Sequence, residues 1–400
     1  MRAAAAIAQQ PTWQEALSEV LDRMPHLSEE KAKPDLTLLF ASSDYAADFP
    51  QLVTEARTAT GTPLLIGCSG QGVIGSAREI EGEPALALLA LWLPQALLHP
   101  FHLSQRDLER CNRPQDWHQL TGLSPEDVNA WLVFADPFSL DAERLLVTFS
   151  EAYPTTPLVG GMASGDHSIR QTHLFLNDEV HESGAVVLAL GGPYAVRAVV
   201  SQGCTPIGET WTITSARGHM IESIAQRPAY QVLVDTVRAL PTEIQQRVQG
   251  NLFVGLAIDE CREEYTRGDF LIRNLIGVDR DSGALAVTAL PWVGQTLQFQ
   301  IRDAAAADEE LQHMLMTAKA DFGGEQPIAA LLCSCNGRGR GLFGAPDHDA
   351  HAVSEVMGPL PLAGFFCNGE IGPVGGRAFL HGFTASVALI VAKEPSGQGS

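Results

Sequence analysis

A strand–helix–strand pattern occurs several times in the chain, and it constrains the fold more than any other feature. Three apolar runs each end in a small or polar turn: "TLLFASSDY" (37–45), "WLVFADPFS" (131–139) and "ALLCSCNGR" (330–338). A helix-like segment follows each run and leads into a Pro-Leu strand, which begins at Pro63, Pro157 and Pro361 respectively. Because a strand that returns through a helix lies parallel to its predecessor, the pattern predicts parallel strand pairs.

A further apolar strand closes each unit: "ALALLALWL", "GAVVLALGG" and "ASVALIVAK". These closing strands are expected to add antiparallel pairs. A fourth opening, "NLFVGLAID", leads into "DFLIRNLIGVD" and "GALAVTALPW" through turn signals typical of an antiparallel meander. The predicted fold class is therefore α/β, with two related domains of mixed β-sheets, helices packed outside, and repeated strand–helix–strand–strand units.

Local patterns also predict where the domains begin. Two amphipathic helices are expected, one in "TWQEALSEVLDRM" with Thr12 as its N-cap and one from about Pro228. The second helix follows several turn signals, which places the domain boundary near residue 230. We predict an N-terminal helical segment (1–34), a first domain (35–227), a second domain (228–392) and a disordered tail (393–400).

Charge and cysteine content exclude several classes of partner. Lys and Arg total 26 against 47 Asp and Glu, a net charge of -21, so the surface would repel nucleic acid and anionic membranes. The longest strongly apolar run, 85–93, is well below the ~18 residues that span a bilayer, and the N-terminus has no signal-peptide pattern. Seven cysteines spread thinly are typical of a reducing compartment. We expect a cytoplasmic protein without membrane insertion.

The glycine-rich strings resemble the FIST family, which pairs an N-terminal with a C-terminal domain in small-ligand sensory proteins. "PLLIGCSGQGVIG" and "PLVGGMASGD" resemble the first domain, and "LLCSCNGRGRGLFG" and "PLAGFFCNGEIGPVGGRAFLHGFTASVAL" the second. The resemblance implies intracellular sensing of amino acids or related metabolites. Some family members carry haem and sense nitric oxide, and others follow an F-box. About 35 residues precede the first of these strands, which is too few for an F-box.

Motifs for nucleotides and metals are weak. "GQGVIG" (70–75) and "GRGLFG" (339–344) fit G-x-G-x-x-G, but "SAREIEGEPALALL" after the first predicts a hairpin, whereas a dinucleotide site needs a helix there. Only Pro346 and Asp347 after the second could begin a helix. Cys333 and Cys335 lack a second cysteine pair, so Cys333 is expected in the core. We predict no metal site and no catalytic residue.

The two glycine-rich turns of the third unit predict a binding site for a zwitterion. Arg338 offers a planar fork for a carboxylate, Glu370 could pair with an amine, and asparagine amides supply donors and acceptors. The predicted ligand-binding residues are Cys335, Asn336, Arg338, Phe366, Cys367, Asn368, Glu370 and His381. Two alternatives stay open at this level: an internal Arg338–Glu370 salt bridge, and His381 as an ordinary core histidine. Cys68, Ser69, Ser164 and Asp166, in the equivalent turns, are expected to serve turn structure.

The predicted function is a cytoplasmic, non-enzymatic sensor that binds an amino acid or related polar metabolite. Binding would shift the packing between domains, and a downstream signalling protein would read that shift. One alternative is a haem-binding nitric oxide sensor with His381 as axial ligand. The other is a cysteine-dependent hydrolase or transferase that uses Cys367 and His381. We predict no cofactor. The ligand, the oligomeric state and the partner are not specified by the sequence.

Overall fold

The computed structural model describes residues 2–24, 27, 33–165, 169–262, 264–265, 268–323 and 326–393. The chain forms two compact units. Unit 1 consists of Met1–Val200 with Met314–Ser400, and unit 2 of Ser201–His313. Among the residues that the structure describes, each helix is too short or too polar to cross a bilayer.

The first repeat of unit 1 alternates strands with helices. Its elements are β1 (Arg2–Gln9), α1 (Trp13–Asp22), β2 (Leu36–Ser42), α2 (Phe49–Thr60), β3 (Leu65–Gly70), β4 (Gly72–Gly75), β5 (Arg78–Glu81) and β6 (Ala85–Trp92). Strand β3 is parallel to β2, and β6 is antiparallel to both β2 and β1. The predicted cap is confirmed, since the Thr12 hydroxyl accepts from the Glu15 N–H.

The N-terminal segment 1–34 was predicted as helical, and it also contains β1. Its alanine run favours a helix by intrinsic propensity. In the fold, however, Ala3 and Ala5 lie opposite Leu91 and Leu89 of β6. Pairing with this buried strand satisfies the backbone of β1 and overrides the local preference.

The second repeat follows the same plan. Its elements are β7 (Leu97–Leu103), α3 (Gln105–Arg110), α4 (Pro114–Thr121), β8 (Val128–Ala135), α5 (Ala142–Ala152), β9 (Leu158–Met162), β10 (Leu174–Leu176), β11 (Glu179–His181) and β12 (Ala185–Gly191). Strands β8 and β9 are parallel, and β12 is antiparallel to β8 and β7. The same order of apolar strands and helices in the sequence therefore produces the same strand pairing in both repeats.

The third repeat begins with β13 (Tyr194–Ser201), after which the chain enters unit 2. Unit 2 contains β14 (Thr205–Arg217), β15 (Met220–Ile224), β16 (Arg227–Pro228), α6 (Ala229–Ala239), α7 (Thr242–Val248), β17 (Leu252–Ala257), β18 (Phe270–Asp279), β19 (Ala284–Val287) and β20 (Thr296–Ile301). The predicted meander is confirmed, because β17, β18 and β19 pair antiparallel in succession. The predicted helix near Pro228 is also present, and Val232 and Leu233 bury its apolar side.

The chain then returns to complete the third repeat. The remaining elements are α8 (Ala304–Asp321), β21 (Ala329–Cys335), α9 (Gly339–Phe343), α10 (His348–Met357), β22 (Leu362–Cys367), β23 (Glu370–Val374), β24 (Arg377–His381) and β25 (Ala385–Ala392). Strands β21 and β22 are parallel, and β25 is antiparallel to β21. All three predicted units are thus confirmed, as is the α/β class with mixed sheets.

Each repeat gives a β-hairpin to the sheet of another repeat. The hairpin β4–β5 pairs with β22, β10–β11 pairs with β3, and β23–β24 pairs with β9. Three equivalent six-stranded sheets result, in the orders β1-β6-β2-β3-β10-β11, β7-β12-β8-β9-β23-β24 and β13-β25-β21-β22-β4-β5. The first repeat gives its hairpin to the third, the second to the first, and the third to the second. This cyclic exchange closes the three repeats of unit 1 into one ring.

The compact units differ from the domains expected from the sequence. The predicted boundary near residue 230 lies inside unit 2, because β21, β22 and β25 share a sheet with β13 and the β4–β5 hairpin. The limits 35–227 and 228–392 stay a prediction about sequence segments. Of the predicted tail, 394–400 lies outside the described residues.

Each repeat contains one parallel pair of strands: β2–β3, β8–β9 and β21–β22. The second strand of each pair carries a glycine where it packs against the first strand. A Cβ on Gly364 would lie 1.8 Å from the carbonyl oxygen of Leu332. Gly67 and Gly160 are in the same position, with carbonyl oxygens of the first strand at 1.8 and 2.0 Å. Any side chain there would collide with backbone, so each parallel pair requires this glycine.

Aromatic rings from the three repeats meet in the core of unit 1. The ring of Phe40 lies 5.5 Å from that of Phe134 and 5.1 Å from that of Phe365. The rings of Phe134 and Phe365 are 5.9 Å apart. All three are fully buried. This cluster holds the carboxyl ends of the first and second strands close together.

Candidate functional site

The carboxyl ends of β3, β9 and β22 are joined through Ser164. Its hydroxyl donates to the carbonyl oxygen of Phe366. The same hydroxyl accepts from the backbone N–H of Gln71, with 2.7 Å between Gln71 N and Ser164 Oγ. Ser69 in turn donates to the carbonyl oxygen of Ser164 over 2.8 Å. Both serines are fully buried. They therefore serve turn structure, as expected; Asp166 lies outside the described residues.

The two turns of the third repeat lie side by side, as the sequence predicted. The side-chain amide of Asn336 donates to Oδ1 of Asn368 over 2.8 Å, and its backbone N–H donates to the carbonyl oxygen of Cys367 over 3.0 Å. Asn368 also donates to the carbonyl oxygen of Ala163 over 3.3 Å. These bonds hold the end of β21, the end of β22 and the end of β9 together.

Glu370 begins β23 at this junction and is fully buried. Its Oε1 lies 3.2 Å from Sγ of Cys367, and its Oε2 accepts from the N–H of Thr384 over 3.0 Å. The Cys335 thiol is hydrogen-bonded to the same carboxyl group. Burial raises the pKa of Glu370 to about 7, although these hydrogen bonds and the charge of Arg338 act in the opposite direction.

The two thiols beside Glu370 are protonated at neutral pH. Burial, and then the charge of Glu370, raise the pKa of Cys335 to about 12. The same two causes raise the pKa of Cys367 well above its usual range. Nucleophilic catalysis by cysteine depends on the thiolate. The environment thus opposes the activation that a cysteine-dependent hydrolase needs.

Arg338 lies in a buried ion pair with Asp349, and not in the Arg338–Glu370 salt bridge that the sequence left open as an alternative. Its Nε and Nη2 donate to the two carboxylate oxygens of Asp349 over 2.7 and 2.8 Å. Both side chains are almost completely buried. The guanidinium also lies 5.3 Å from the ring centre of Phe343. Asp349 occupies the first turn of α10, which packs back over the turn, and only the tertiary structure brings it there.

The ion pair fixes the charge state of Asp349. Burial acts to raise the pKa of this carboxyl group, but the Arg338 guanidinium and the hydrogen bond from it hold the pKa below its usual range. The Ser334 hydroxyl donates to the same carboxylate over 2.7 Å. The Arg338 guanidinium is thereby bonded to Asp349, and its Nη1 also donates to the carbonyl oxygen of Phe383 over 3.4 Å.

The other predicted site residues are buried around the junction. Phe366 is 2% exposed, and a Cβ on Gly72 would lie 2.9 Å from its ring. His381 is 4% exposed, with Nε2 lying 3.0 Å from the carbonyl oxygen of Gly372. This agrees with the interpretation of His381 as a core histidine. Cys333 is buried in the main apolar core, which confirms its expected role.

Sequence reasoning missed Thr384, Asp349 and Glu79. Thr384 precedes β25 and carries the backbone N–H that holds Glu370. Glu79 of β5 is buried and accepts from the N–H of Ala350 over 2.9 Å. Burial, and then the charge of Asp349, raise the pKa of Glu79 to about 8. The acidic start of α10 was the available signal for Asp349, but Glu79 in a short polar hairpin gave none.

Comparison with known proteins agrees with the earlier resemblance. The family model described as the FIST N domain matches residues 35–227, and the one described as the FIST C domain matches residues 229–373. An uncharacterized protein of Mycobacterium tuberculosis is 39% identical over 372 residues, covering 92% of this chain and 94% of that protein. An uncharacterized protein of Mycobacterium bovis is 38% identical over 365 residues, covering 90% and 91%.

Solved structures give a more distant similarity. A cyanuric acid hydrolase from A. caulinodans aligns with a TM-score of 0.35 and 11% identity, over 98% of this chain and 99% of that one. A second cyanuric acid hydrolase aligns with a TM-score of 0.33 and 9% identity, over 98% and 100%. The sequence matches are the informative ones, because they reach 39% and 38% identity over most of the chain, whereas the structural matches have 11% and 9% identity. The chain belongs to the FIST family, with a FIST N domain followed by a FIST C domain.

Proposed function

We propose that this protein is a non-enzymatic sensor for a small metabolite with a primary ammonium group, such as an amino acid. The family assignment is consistent with a small-ligand sensory role. The binding site would be the junction of Asn336, Asn368 and Glu370. Cys335 and both asparagines are partly exposed whereas Glu370 is fully buried, so a ligand would reach the Glu370 carboxyl group past these three side chains.

The observation that carries the proposal is a buried carboxyl group to which no cationic side chain of the described residues is hydrogen-bonded. The bonding partners of Glu370 are two thiols and one backbone N–H. Within the described part of the chain, no Lys, Arg or His side chain forms an ion pair with Glu370. The charge of Arg338 lowers the pKa of Glu370 less than the hydrogen bonds do, and its guanidinium is bonded to Asp349. Burying a carboxylate is costly unless an opposite charge accompanies it. A ligand ammonium would supply that charge.

Asn336 adds an acceptor to the same junction. Its Oδ1 is buried and has no hydrogen-bond partner among the described residues, while its Nδ2 is bonded to Asn368. An ammonium group has three donors and no acceptor. The carboxyl group of Glu370 and the amide oxygen of Asn336 therefore offer the complementary set. This arrangement favours an amine over an anion, which would meet carboxylate oxygens.

Binding at the junction also suggests how a signal could arise. The turn that carries Asn368 is bonded to Ala163 at the end of β9, and β23 pairs with β9 at Gly160 and Gly161. A ligand that draws Glu370 and Asn336 together would alter this contact between the third and second repeats. A downstream signalling protein would read the altered packing. The proposal places the protein in the cytoplasm, where its cysteines stay reduced.

Thermal denaturation with a panel of small molecules tests the proposal. The panel contains free amino acids, their N-acetyl derivatives and the corresponding hydroxy acids, which lack the ammonium group. A ligand at about 100 times its Kd should add about 2.7 kcal/mol of stability. We expect stabilisation only by compounds with a free ammonium group, and its loss in Glu370→Gln. The control Glu55→Gln, which changes an exposed residue of α2, should respond like the parent.

Two outcomes would remove the proposal. One is a melting temperature that no amine in the panel changes. The other is equal stabilisation of the parent and Glu370→Gln, because the carboxylate would then play no part. The haem and hydrolase alternatives gain no specific support here, since Nε2 of His381 lies against a backbone carbonyl and the thiol of Cys367 is protonated.

A further inference from the structure

Two cysteines lie directly opposite each other at the end of the parallel pair β21–β22. Cys335 is the last residue of β21 and Cys367 the last of β22, and they are register partners. Neighbouring strands are about 4.8 Å apart, and residues in register project to the same side of the sheet. Disulfides form across Cα separations of about 4.4–6.8 Å. The backbone therefore places both side chains within reach of one covalent bond.

The two sulfur atoms share one carboxyl group. Sγ of Cys367 lies 3.2 Å from Oε1 of Glu370, and the thiol of Cys335 is hydrogen-bonded to the same side chain. Exposure differs between them, because Cys367 is fully buried whereas Cys335 is partly exposed. An oxidant from solvent would thus react with Cys335 first, and the buried Cys367 would react with the oxidised Cys335 afterwards.

We propose that Cys335 and Cys367 are a redox-active dithiol, oxidised to a disulfide by a peroxide and restored by a dithiol reductant. In the first step Glu370 takes the proton of Cys335, the resulting thiolate attacks one peroxide oxygen, the O–O bond breaks, and Cys335 becomes a sulfenic acid as an alcohol or water leaves. Because burial and the charge of Glu370 raise the pKa of Cys335 to about 12, little thiolate is present at neutral pH and this step is slow. In the second step the sulfur of Cys367 attacks that of Cys335 and displaces hydroxide. Glu370 accepts each thiol proton and returns it to the leaving oxygen, so two thiols and one peroxide yield one disulfide.

The other cysteines are arranged differently. Cys333 pairs in register with Phe365, and Cys68 with Phe40. Cys261 is exposed in unit 2 and could react by itself with a second molecule. Its replacement by serine removes that reaction without touching the dithiol. Cys333→Ser provides a matched control, because it changes a neighbouring thiol of the same strand that has no cysteine opposite.

Mass spectrometry on the full chain carrying Cys261→Ser tests the proposal. After exposure to hydrogen peroxide we expect a mass lower by two hydrogen atoms and a linked pair of peptides containing Cys335 and Cys367. A dithiol reductant should reverse both changes, and Cys333→Ser should behave identically. Glu370→Gln should form the same link several-fold more slowly. This test needs no amine ligand, so its outcome is independent of the proposed sensing function.

Three outcomes of the peroxide experiment would overturn the proposal. Linked peptides that contain another cysteine pair, or oxidation of Cys335 to sulfinic acid without any link, would overturn the proposal. So would a dithiol that stays reduced while the peroxide oxidises a small-molecule dithiol in the same tube. Because the linked peptide is sought in a chain that keeps both cysteines, the answer does not depend on whether a Cys335 or Cys367 variant folds.

Discussion

Replacing Glu370 with glutamine should change how stability depends on pH, and the sign follows from the burial of its carboxyl group. The pKa of Glu370 is about 7 in the folded protein, against an ordinary value of 4.5. Between these two values the folded chain binds a proton that the unfolded chain has lost. Stability from this group is thus fully present below pH 4.5 and is lost as the pH rises to about 7.

The expected magnitude follows from that difference in pKa. Each tenfold change in proton affinity corresponds to about 1.4 kcal/mol, so ionisation of Glu370 costs the folded state about 3 kcal/mol above pH 7. Glutamine has a similar shape and does not ionise. Relative to the parent, Glu370→Gln should therefore gain most of about 3 kcal/mol between pH 5 and pH 8. The contribution of Glu79 is the same in both chains and cancels in the difference.

Urea unfolding at the two pH values measures this gain. Hydrogen exchange in a peptide from β22 would report unfolding next to Glu370, so that unit 1 is followed separately from unit 2. Glu55→Gln, on the exposed side of α2, should show no such pH dependence. A stability difference between Glu370→Gln and the parent that is equal at pH 5 and pH 8 would refute the reasoning. If Glu370→Gln were less stable relative to the parent at pH 8 than at pH 5, a cation would accompany the ionised carboxylate in the parent.

Two further predictions concern the structure around the site. Asp349→Asn leaves the buried Arg338 guanidinium without its counter-charge and should cost about 3–5 kcal/mol in urea unfolding. The double variant Arg338→Met/Asp349→Leu should recover part of that loss, and a single variant as stable as the parent would contradict the ion pair. Gly364→Ala would force a Cβ to 1.8 Å from the carbonyl oxygen of Leu332, and should cost about 3 kcal/mol or more. Gly341→Ala, which has open space, should stay within about 1 kcal/mol of the parent, and equal stability of both variants would contradict the predicted collision.

Several features of the site were accessible from local sequence. The turns containing Asn336 and Asn368 each follow an apolar strand of the same unit, and strands joined through a helix end at the same edge of a sheet. Their contact over 2.8 Å confirms this reasoning. The burial of Cys333 followed from its place within an apolar run. Such inferences succeed because period and turn chemistry act over short stretches of chain.

The partner of Arg338 was not accessible in the same way. Glu370 was the nearer candidate by motif, but Asp349 of α10 takes both ends of the guanidinium. Which carboxylate binds the Arg338 guanidinium depends on the angle at which α10 packs against the sheet. A helix position of this kind is set by contacts between many side chains, and pairwise sequence spacing does not contain it.

The sequence alone determined the three strand–helix–strand units, the direction of their strand pairs and the membership in the FIST family. Those properties rest on apolar periodicity and on glycines that local geometry demands. Only the tertiary structure decided that β4–β5, β10–β11 and β23–β24 each join the sheet of another repeat, and that unit 2 is inserted in the third repeat. A hairpin satisfies its outer hydrogen bonds equally well on any compatible strand edge. The choice among edges is made by the closure of the ring, which buries the phenylalanine cluster.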